Sequence, residues 1–309
     1  MKILVASQID LDAIQKLQEQ HHVICSYGAA EVELQTLIKD REILIFRSGV
    51  KITAEVMKCA PGLKLLIRAG SGTDNLDLDY VLQKGITFER TPGPSARSVA
   101  EMAFALIFAL NRNLLKADHT MRQARWAKNE LMGYLINKKL LGIVGVGNIG
   151  TRVGMFGVAL GMNVIGCVEH PSEERAIGFK NLGIRLTNFI EVISTADIVS
   201  IHVPLKESTR YMFNKDTLSN MKPGSILINL ARGGVVNEHD LYQSLHNEGR
   251  LRAAALDVHE QEGEGRRSPL ADLPNVILTP HIGAMTFDSQ QEIGSRIVEI
   301  VNKFVSNNC

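Results

Sequence analysis

The stretch that decides the fold is "LLGIVGVGNIGTRVG", residues 140–154. It opens as a short apolar run bounded by glycine, the pattern of a buried strand. It continues as Gly145-Val146-Gly147-Asn148-Ile149-Gly150, a G-x-G-x-x-G spacing, and runs on into a helical pattern. A strand before this spacing and a helix after it are the context in which it binds a dinucleotide. Gly145 allows the tight turn, Gly147 lets backbone approach a pyrophosphate, and Gly150 lets helix pack on strand. The phosphates then meet the unpaired N–H groups of the helix N-terminus.

Working outward, strand-like and helix-like segments alternate along the whole chain. Before residue 92 the strand candidates are "KILVA", "HVICS", "ILIF", "KLLIRAG" and "GITFER". Helices are expected between them, from about Asp10, Glu31, Thr53 and Asp77. After the linker-like "TPGPS" a single long helix is expected from about Ser98 to Gln123. The second series holds "KLLGIVGVG", "NVIGCV", "ADIVSIHV", "SILINLA", "RAAALDV" and "NVILTP", and the chain closes on an amphipathic helix from Thr286 to about Val305. Such alternation predicts an α/β fold of parallel sheets with helices on both faces. Prolines near residues 92 and 280 mark two crossings. They divide the chain into residues 1–93 with 285–309, and residues 94–284, one domain inserted into the other.

Composition sets limits on partners. The 309 residues allow about two domains, on a prior of about 150 residues each. Hydrophobic residues make up 45%, enough for a sizeable core, and the net charge of +1 gives no reason to expect nucleic acid or an anionic membrane as partner. The four cysteines, Cys25, Cys59, Cys167 and Cys309, lack metal or redox spacing, so no metal site and a reduced, cytoplasmic compartment are expected. "MKILVAS" is too short for a signal peptide and reads as a first strand. The longest apolar stretch, Met102–Leu110, falls well short of the roughly 20 residues of a bilayer span.

Polar groups gather at predicted strand ends. "SILINLA" stops at Arg232, with Gly233 and Gly234 beside it, and Asn237 is placed to cap the next helix. "LDV" brings Asp257 to one end and "LTPHIG" brings His281 just past another. "SIHVP" ends a strand at His202–Pro204. Glu169, the first acid after the second strand, lies 19 residues beyond Gly150 and suits the adenosine ribose hydroxyls. No Arg or Lys adjoins it in sequence; Arg175 is the nearest, which favours NAD over NADP. An arginine, an acid and a histidine beside a nicotinamide suit 2-keto acid reduction. The cation holds the carboxylate, and the histidine gives the carbonyl oxygen its proton.

These residues closely resemble the D-isomer-specific 2-hydroxyacid dehydrogenases, among them the short phosphoglycerate dehydrogenases. The resemblance runs through "FRSGVKITAEV", "RAGSGTDNLDL", "TPGPSARSVAE", "LGIVGVGNIG", "ADIVSIHVPLKEST", "NLARGGVV", "AAALDVHEQE" and "SPLADLPNVILTPHIGA". It implies a Rossmann NAD-binding domain inserted into a smaller, flavodoxin-like substrate domain, both doubly wound parallel sheets. It implies catalysis by Arg232 on the substrate carboxylate, His281 as acid–base and Glu262 as its carboxylate partner. Asn148 and Ile149 would lie on the pyrophosphate, and His202, Val203, Pro204 and Thr209 around the adenosine half. Leu230, Ala231 and Gly283 would border the cofactor, with Asp257 facing the nicotinamide carboxamide. Arg47, Ser48, Gly70, Ser71 and Gly72 would contact substrate, as would Arg232 and His281. A homodimer built on the apolar stretch 98–126 is also implied.

Three departures qualify the resemblance. The family's acid–proline after "LDV" is Glu262-Gly263 here, with Glu260 and Glu264 close by. The second-strand acid usually stands one position earlier, where this chain has Val168. Ser95 replaces the asparagine of the "TPG" segment. With the sequence ending at Cys309, feedback through a serine-binding C-terminal domain is not expected. Two classes of function remain open at this point: an NAD-dependent dehydrogenase of phosphoglycerate or another 2-hydroxy acid (hydroxypyruvate, glyoxylate or a phosphonate keto acid among the reducible partners), and a non-catalytic NAD-sensing scaffold of the kind found among transcriptional corepressors.

Overall fold

The computed structural model describes residues 1–246 and 249–308. The chain forms two compact units, Met1–Ser95 with Ala284–Cys309, and Ala96–Gly283. Cys25, Cys59 and Cys167 are free thiols, and Cys309 lies outside the described residues.

The first unit is built on β1 (Lys2–Val5), β2 (His22–Cys25), β3 (Ile43–Phe46), β4 (Leu65–Arg68) and β5 (Thr87–Arg90). All pairings are parallel, in the order β2-β1-β3-β4-β5. That is the doubly wound flavodoxin-like order. The central strands β3 and β4 are buried along their whole length, so they read as unbroken apolar runs rather than alternating ones. Asp10, Thr53 and Asp77 cap the helices that follow them, each accepting a backbone N–H three residues on. The closing helix Phe287–Asn308 belongs to this unit and buries Ile293, Ile297 and Val301 against Ile3, Val5 and Leu17.

The second unit carries β6 (Leu140–Val144), β7 (Asn163–Cys167), β8 (Ile184–Leu186), β9 (Ile198–Ile201), β10 (Ile226–Asn229), β11 (Ala253–Leu256) and β12 (Val276–Leu278). The order is β12-β11-β10-β9-β6-β7-β8, again all parallel. Counting from β6, this is the dinucleotide-binding order 3-2-1-4-5-6 extended by one strand. The connection reverses direction between β6 and β9, which leaves a crevice at their carboxyl ends. β8 has no counterpart among the sequence expectations. It is three residues long with an exposed arginine at its centre, too short to show periodicity.

The long helix expected over 98–123 is two helices, Ser95–Asn111 and Leu114–Arg122, bent by 61°. Asn113 takes a left-handed conformation, φ 51°, and so ends the first helix although the helical apolar pattern continues. Among the described residues no single helix is long and apolar enough to cross a membrane; only this bent pair reaches that composition together.

Candidate active site

The G-x-G-x-x-G segment forms the turn from β6 into the helix Asn148–Ala159, with Gly147 as N-cap. Gly145 has φ +97°, and a Cβ there would lie 2.7 Å from the carbonyl oxygen of His202 at the end of β9. A Cβ on Gly150 would meet the Gly145 carbonyl at 2.2 Å. Side chains are therefore excluded where the first turn of the helix packs on the two strands. A Cβ on Gly147 would meet nothing within 4 Å, so its backbone faces open space. No side chain caps this helix, which leaves its first N–H groups for an anion.

Beside the turn lies a cavity of about 740 Å³, lined in part by Gly145, Glu169, Val203, Pro204, Thr209 and Phe189. Its walls are mostly apolar, with Cys167, Leu186 and Met212 among them, and it is large enough for an adenosine. Burial pushes the Cys167 thiol up to about 11, so it is a neutral wall group. Thr209 donates its hydroxyl to the Pro204 carbonyl at 2.7 Å and accepts the Lys206 N–H at 2.8 Å, fixing the 204–209 loop. His202 lies outside the cavity lining. Its Nε2 pairs with Ser200 Oγ at 2.8 Å, its Nδ1 is sealed from solvent, and burial pushes the imidazole down to about 3. The neutral ring carries no charge into the crevice, and it is the His202 main-chain carbonyl that packs against the Gly145 turn.

Glu169 has a cation that sequence order concealed. Lys206 Nζ lies 3.1 Å from its Oε2, from 37 residues away. The ammonium holds the carboxyl below its usual range. Arg175, the nearest cation in sequence, instead donates to the His170 carbonyl at 3.4 Å.

The remaining groups follow three adjacent parallel strands, β10, β11 and β12, whose register places their carboxyl ends side by side. After β10, the buried Asn229 shapes the turn. Its Oδ1 accepts the Ala231 N–H at 3.0 Å and its Nδ2 donates to the Arg232 carbonyl at 3.1 Å. Leu230 and Ala231 are buried, and Arg232 Nη1 donates to the Ala231 carbonyl at 2.7 Å. After β11, the buried Asp257 accepts from Thr279 Oγ1 at 2.6 Å, Ile282 N at 2.9 Å and Gly283 N at 2.8 Å. It thereby clamps the turn after β12, where His281 has φ 57°. Such a backbone costs on the order of 1–3 kcal/mol for a residue other than glycine, and the Asp257 clamp holds it.

His281 Nδ1 lies 2.9 Å from Glu262 Oε2, and Glu262 Oε1 accepts the His259 N–H at 3.2 Å. Burial of Glu262 opposes its ionisation, but the hydrogen bond and charge of His281 and the His259 N–H outweigh it and lower its pKa. Glu260 is engaged elsewhere, accepting the Glu238 N–H at 2.8 Å. A hollow of about 520 Å³ opens beside the pair, walled in part by His259, Glu264, Arg266 and Arg267. Among the described residues no cluster of His, Cys, Asp and Glu has the makings of a metal site.

In the first unit, Arg47 follows β3 and Arg68 ends β4, on neighbouring strands. Arg47 Nη1 donates to Gln290 Oε1 at 2.8 Å, and Asn75 Nδ2 donates to the Arg47 and Val50 carbonyls, shaping the turn that contains Ser48. Arg68 is buried and donates to the Ala69 carbonyl at 3.0 Å. Gly70 follows with φ +147°, and Arg90, at the end of β5, donates to the Ser71 carbonyl at 3.2 Å just before Gly72. Sequence reading assigned no role to Lys206, Asn229, Glu238 or His259. Only Asn229 left a trace, as the one polar residue in an apolar strand.

The chain belongs to the D-isomer specific 2-hydroxyacid dehydrogenase family, whose NAD binding domain matches residues 104–283. It is 38% identical over 304 residues to a D-3-phosphoglycerate dehydrogenase of Methanocaldococcus jannaschii, covering 98% of this chain and 57% of that protein. It thus spans little more than half the length of that relative. A hydroxypyruvate reductase of Thermotoga maritima is 35% identical over 305 residues, covering 98% of this chain and 97% of that one. Among solved structures, a D-lactate dehydrogenase of Aquifex aeolicus, crystallised with NAD and lactic acid, superposes with a TM-score of 0.87 at 31% identity, covering 99% of this chain and 96% of that one.

Proposed function

We propose that this protein reversibly transfers hydride between NAD(H) and a small 2-keto acid, giving the D-2-hydroxy acid. The observation that carries this reading is the His281–Glu262 pair at the same carboxyl edge of the sheet as Arg232, two strands away, in the sheet that also carries the dinucleotide turn. The bound nicotinamide supplies the hydride. Gly145, Gly147, Asn148, Ile149 and Gly150 hold the pyrophosphate. Glu169, Val203, Pro204 and Thr209 surround the adenosine, and His202 shapes the wall behind. Asp257, with Leu230, Ala231 and Gly283, borders the nicotinamide.

Arg232 binds the substrate carboxylate and polarises the neighbouring carbonyl. Nδ1 of His281 is tied to Glu262, so Nε2 gives its proton to the carbonyl oxygen as hydride arrives at carbon. The ionised Glu262 stabilises the imidazolium that donates. In oxidation the same nitrogen takes the hydroxyl proton. One keto acid, one hydride and one proton give one hydroxy acid, so the step balances.

Arg47 and Arg68, with Ser48, Gly70, Ser71 and Gly72, are the residues we assign to the rest of the substrate. Two arginines at neighbouring strand ends suit a second anionic group, as in 3-phosphohydroxypyruvate or phosphonopyruvate. We further assign the protein to a homodimer. Trp126, Met132 and Leu135 are 75–85% exposed in one segment of the second unit, and covering such large apolar side chains with a second copy supports this assignment. Incubation with NADH and a 2-keto acid, followed by chiral analysis, tests the main reading. The D-hydroxy acid should accumulate in step with NADH loss.

A further inference from the structure

Glu238 opens the helix Glu238–Leu245 and is 3% exposed, yet it is a carboxylate far in sequence from the acid–base pair. A buried acid needs partners for both oxygens. Its Oε1 accepts the Glu260 N–H at 2.7 Å, and its Oε2 accepts the Ser268 hydroxyl at 2.6 Å. Its own N–H returns a bond to Glu260 Oε1 at 2.8 Å. These three bonds grip the segment 260–268 on both sides of Glu262.

His259 completes the linkage. Its backbone N–H holds Glu262 Oε1, and its Nε2 donates to the Thr279 carbonyl at 3.0 Å, two residues before His281. Its Nδ1 stands 3.9 Å from Glu238 Oε1. A Cβ on Gly233 would lie 1.8 Å from the His259 carbonyl oxygen, so the turn carrying Arg232 also rests on this residue.

We infer that Glu238 is a positioning residue for the acid–base pair: by fixing the 259–260 backbone and Ser268, it sets the distance from Glu262 to His281. It does the work that proline would do after the acid, a position held here by Gly263 with φ +119°. The inference rests on the proposed reduction for its kinetic consequence, but the tether itself stands apart from it.

The test compares Glu238→Ala, Glu238→Gln and Ser268→Ala, each alone and combined with Glu262→Gln. Glu238→Ala should lower kcat about 10-fold or more, a part of the 10²- to 10⁴-fold that acid–base help typically supplies. KM and NADH affinity should stay within about 2-fold. Amide exchange across residues 257–268 should quicken. Glu238→Gln keeps an acceptor for the Glu260 N–H and should restore most of kcat. On the Glu262→Gln background, neither Glu238→Ala nor Ser268→Ala should cost anything further, because the residue they act through is already gone. Faster exchange with unchanged kcat would show a purely structural tether and overturn the inference, as would losses that add on that background. If Glu238→Ala does not fold, Ser268→Ala carries the same comparison. Should the wild type reduce no 2-keto acid, the proposed function fails. The exchange contrast would then still report whether Glu238 holds the segment, and equal exchange in wild type and variants would overturn that too.

Discussion

Nδ1 of His281 lies 2.9 Å from Oε2 of Glu262, and Glu262 reaches it from a loop whose next residue is glycine. In the proposed reaction the pair fixes which imidazole nitrogen faces the substrate. It also sets a pH dependence. An ionised carboxylate favours the protonated form of a neighbouring imidazole. Burial opposes ionisation of Glu262, but the hydrogen bond and charge of His281 outweigh it and hold the carboxyl below its usual range. The ionised partner is therefore present above that lowered pKa and lost as pH falls through it. Glu262→Gln removes the charge and keeps the shape. The variant should have a lower kcat for reduction and should lose the acid-side decline that protonation of Glu262 causes in the wild type. An acid limb unchanged in the variant would remove Glu262 from the role.

Cofactor choice turns on the Glu169–Lys206 contact. The carboxylate repels a 2′-phosphate, while the ammonium 3.1 Å away attracts one. Glu169→Ala should narrow the preference for NADH over NADPH, and Lys206→Ala should sharpen it. Ratios of kcat/KM for the two cofactors measure both. Equal use of NADH and NADPH by the wild type would mean that Glu169, one position past the usual site, does not discriminate.

Substrate charge separates two arginines. Arg232→Ala should harm KM and kcat together, by about 10- to 150-fold in kcat/KM, since a charged hydrogen bond is worth about 1.5–3 kcal/mol. Arg47→Ala should raise KM for a phosphorylated or phosphonate keto acid far more than for glyoxylate. Equal effects on both substrates would remove Arg47 from recognition of a second anion.

The proposed homodimer rests on exposed apolar side chains. Light scattering at micromolar concentration should give twice the chain mass of 34.0 kDa. Trp126→Glu together with Met132→Glu should shift the mass toward monomer. A wild-type monomer would contradict the dimer.

The fold was legible because buried parallel strands are continuous apolar runs, and β3, β4 and β10 announce themselves in that way. The strand-end positions of Arg232, Asp257 and His281 followed from the same runs, since parallel neighbours share one carboxyl edge. Local chemistry hid the rest. Nothing in the sequence pattern marks the left-handed turn at Asn113. β8 is a three-residue strand with arginine at its centre. The choice between Glu260 and Glu262 depends on the path of the backbone through Gly263, and periodicity carries no information about that path. Lys206 and Glu169 meet only because β7 and β9 flank β6. Glu238 looked like one more acid in the first turn of a helix, and only its burial distinguishes it.

The central claim is that His281 gives the proton as hydride passes from NADH to a 2-keto acid. Steady-state NADH oxidation by wild type and His281→Ala, across 3-phosphohydroxypyruvate, hydroxypyruvate, glyoxylate, pyruvate and phosphonopyruvate, tests it most directly, with NADH affinity measured in parallel. The wild type should turn over at least one of these. His281→Ala should lose about 10²- to 10⁴-fold in kcat, with NADH binding intact. A wild type that binds NADH and turns over none of the panel would contradict the account and favour a cofactor-sensing scaffold, and a fully active His281→Ala would contradict the mechanism.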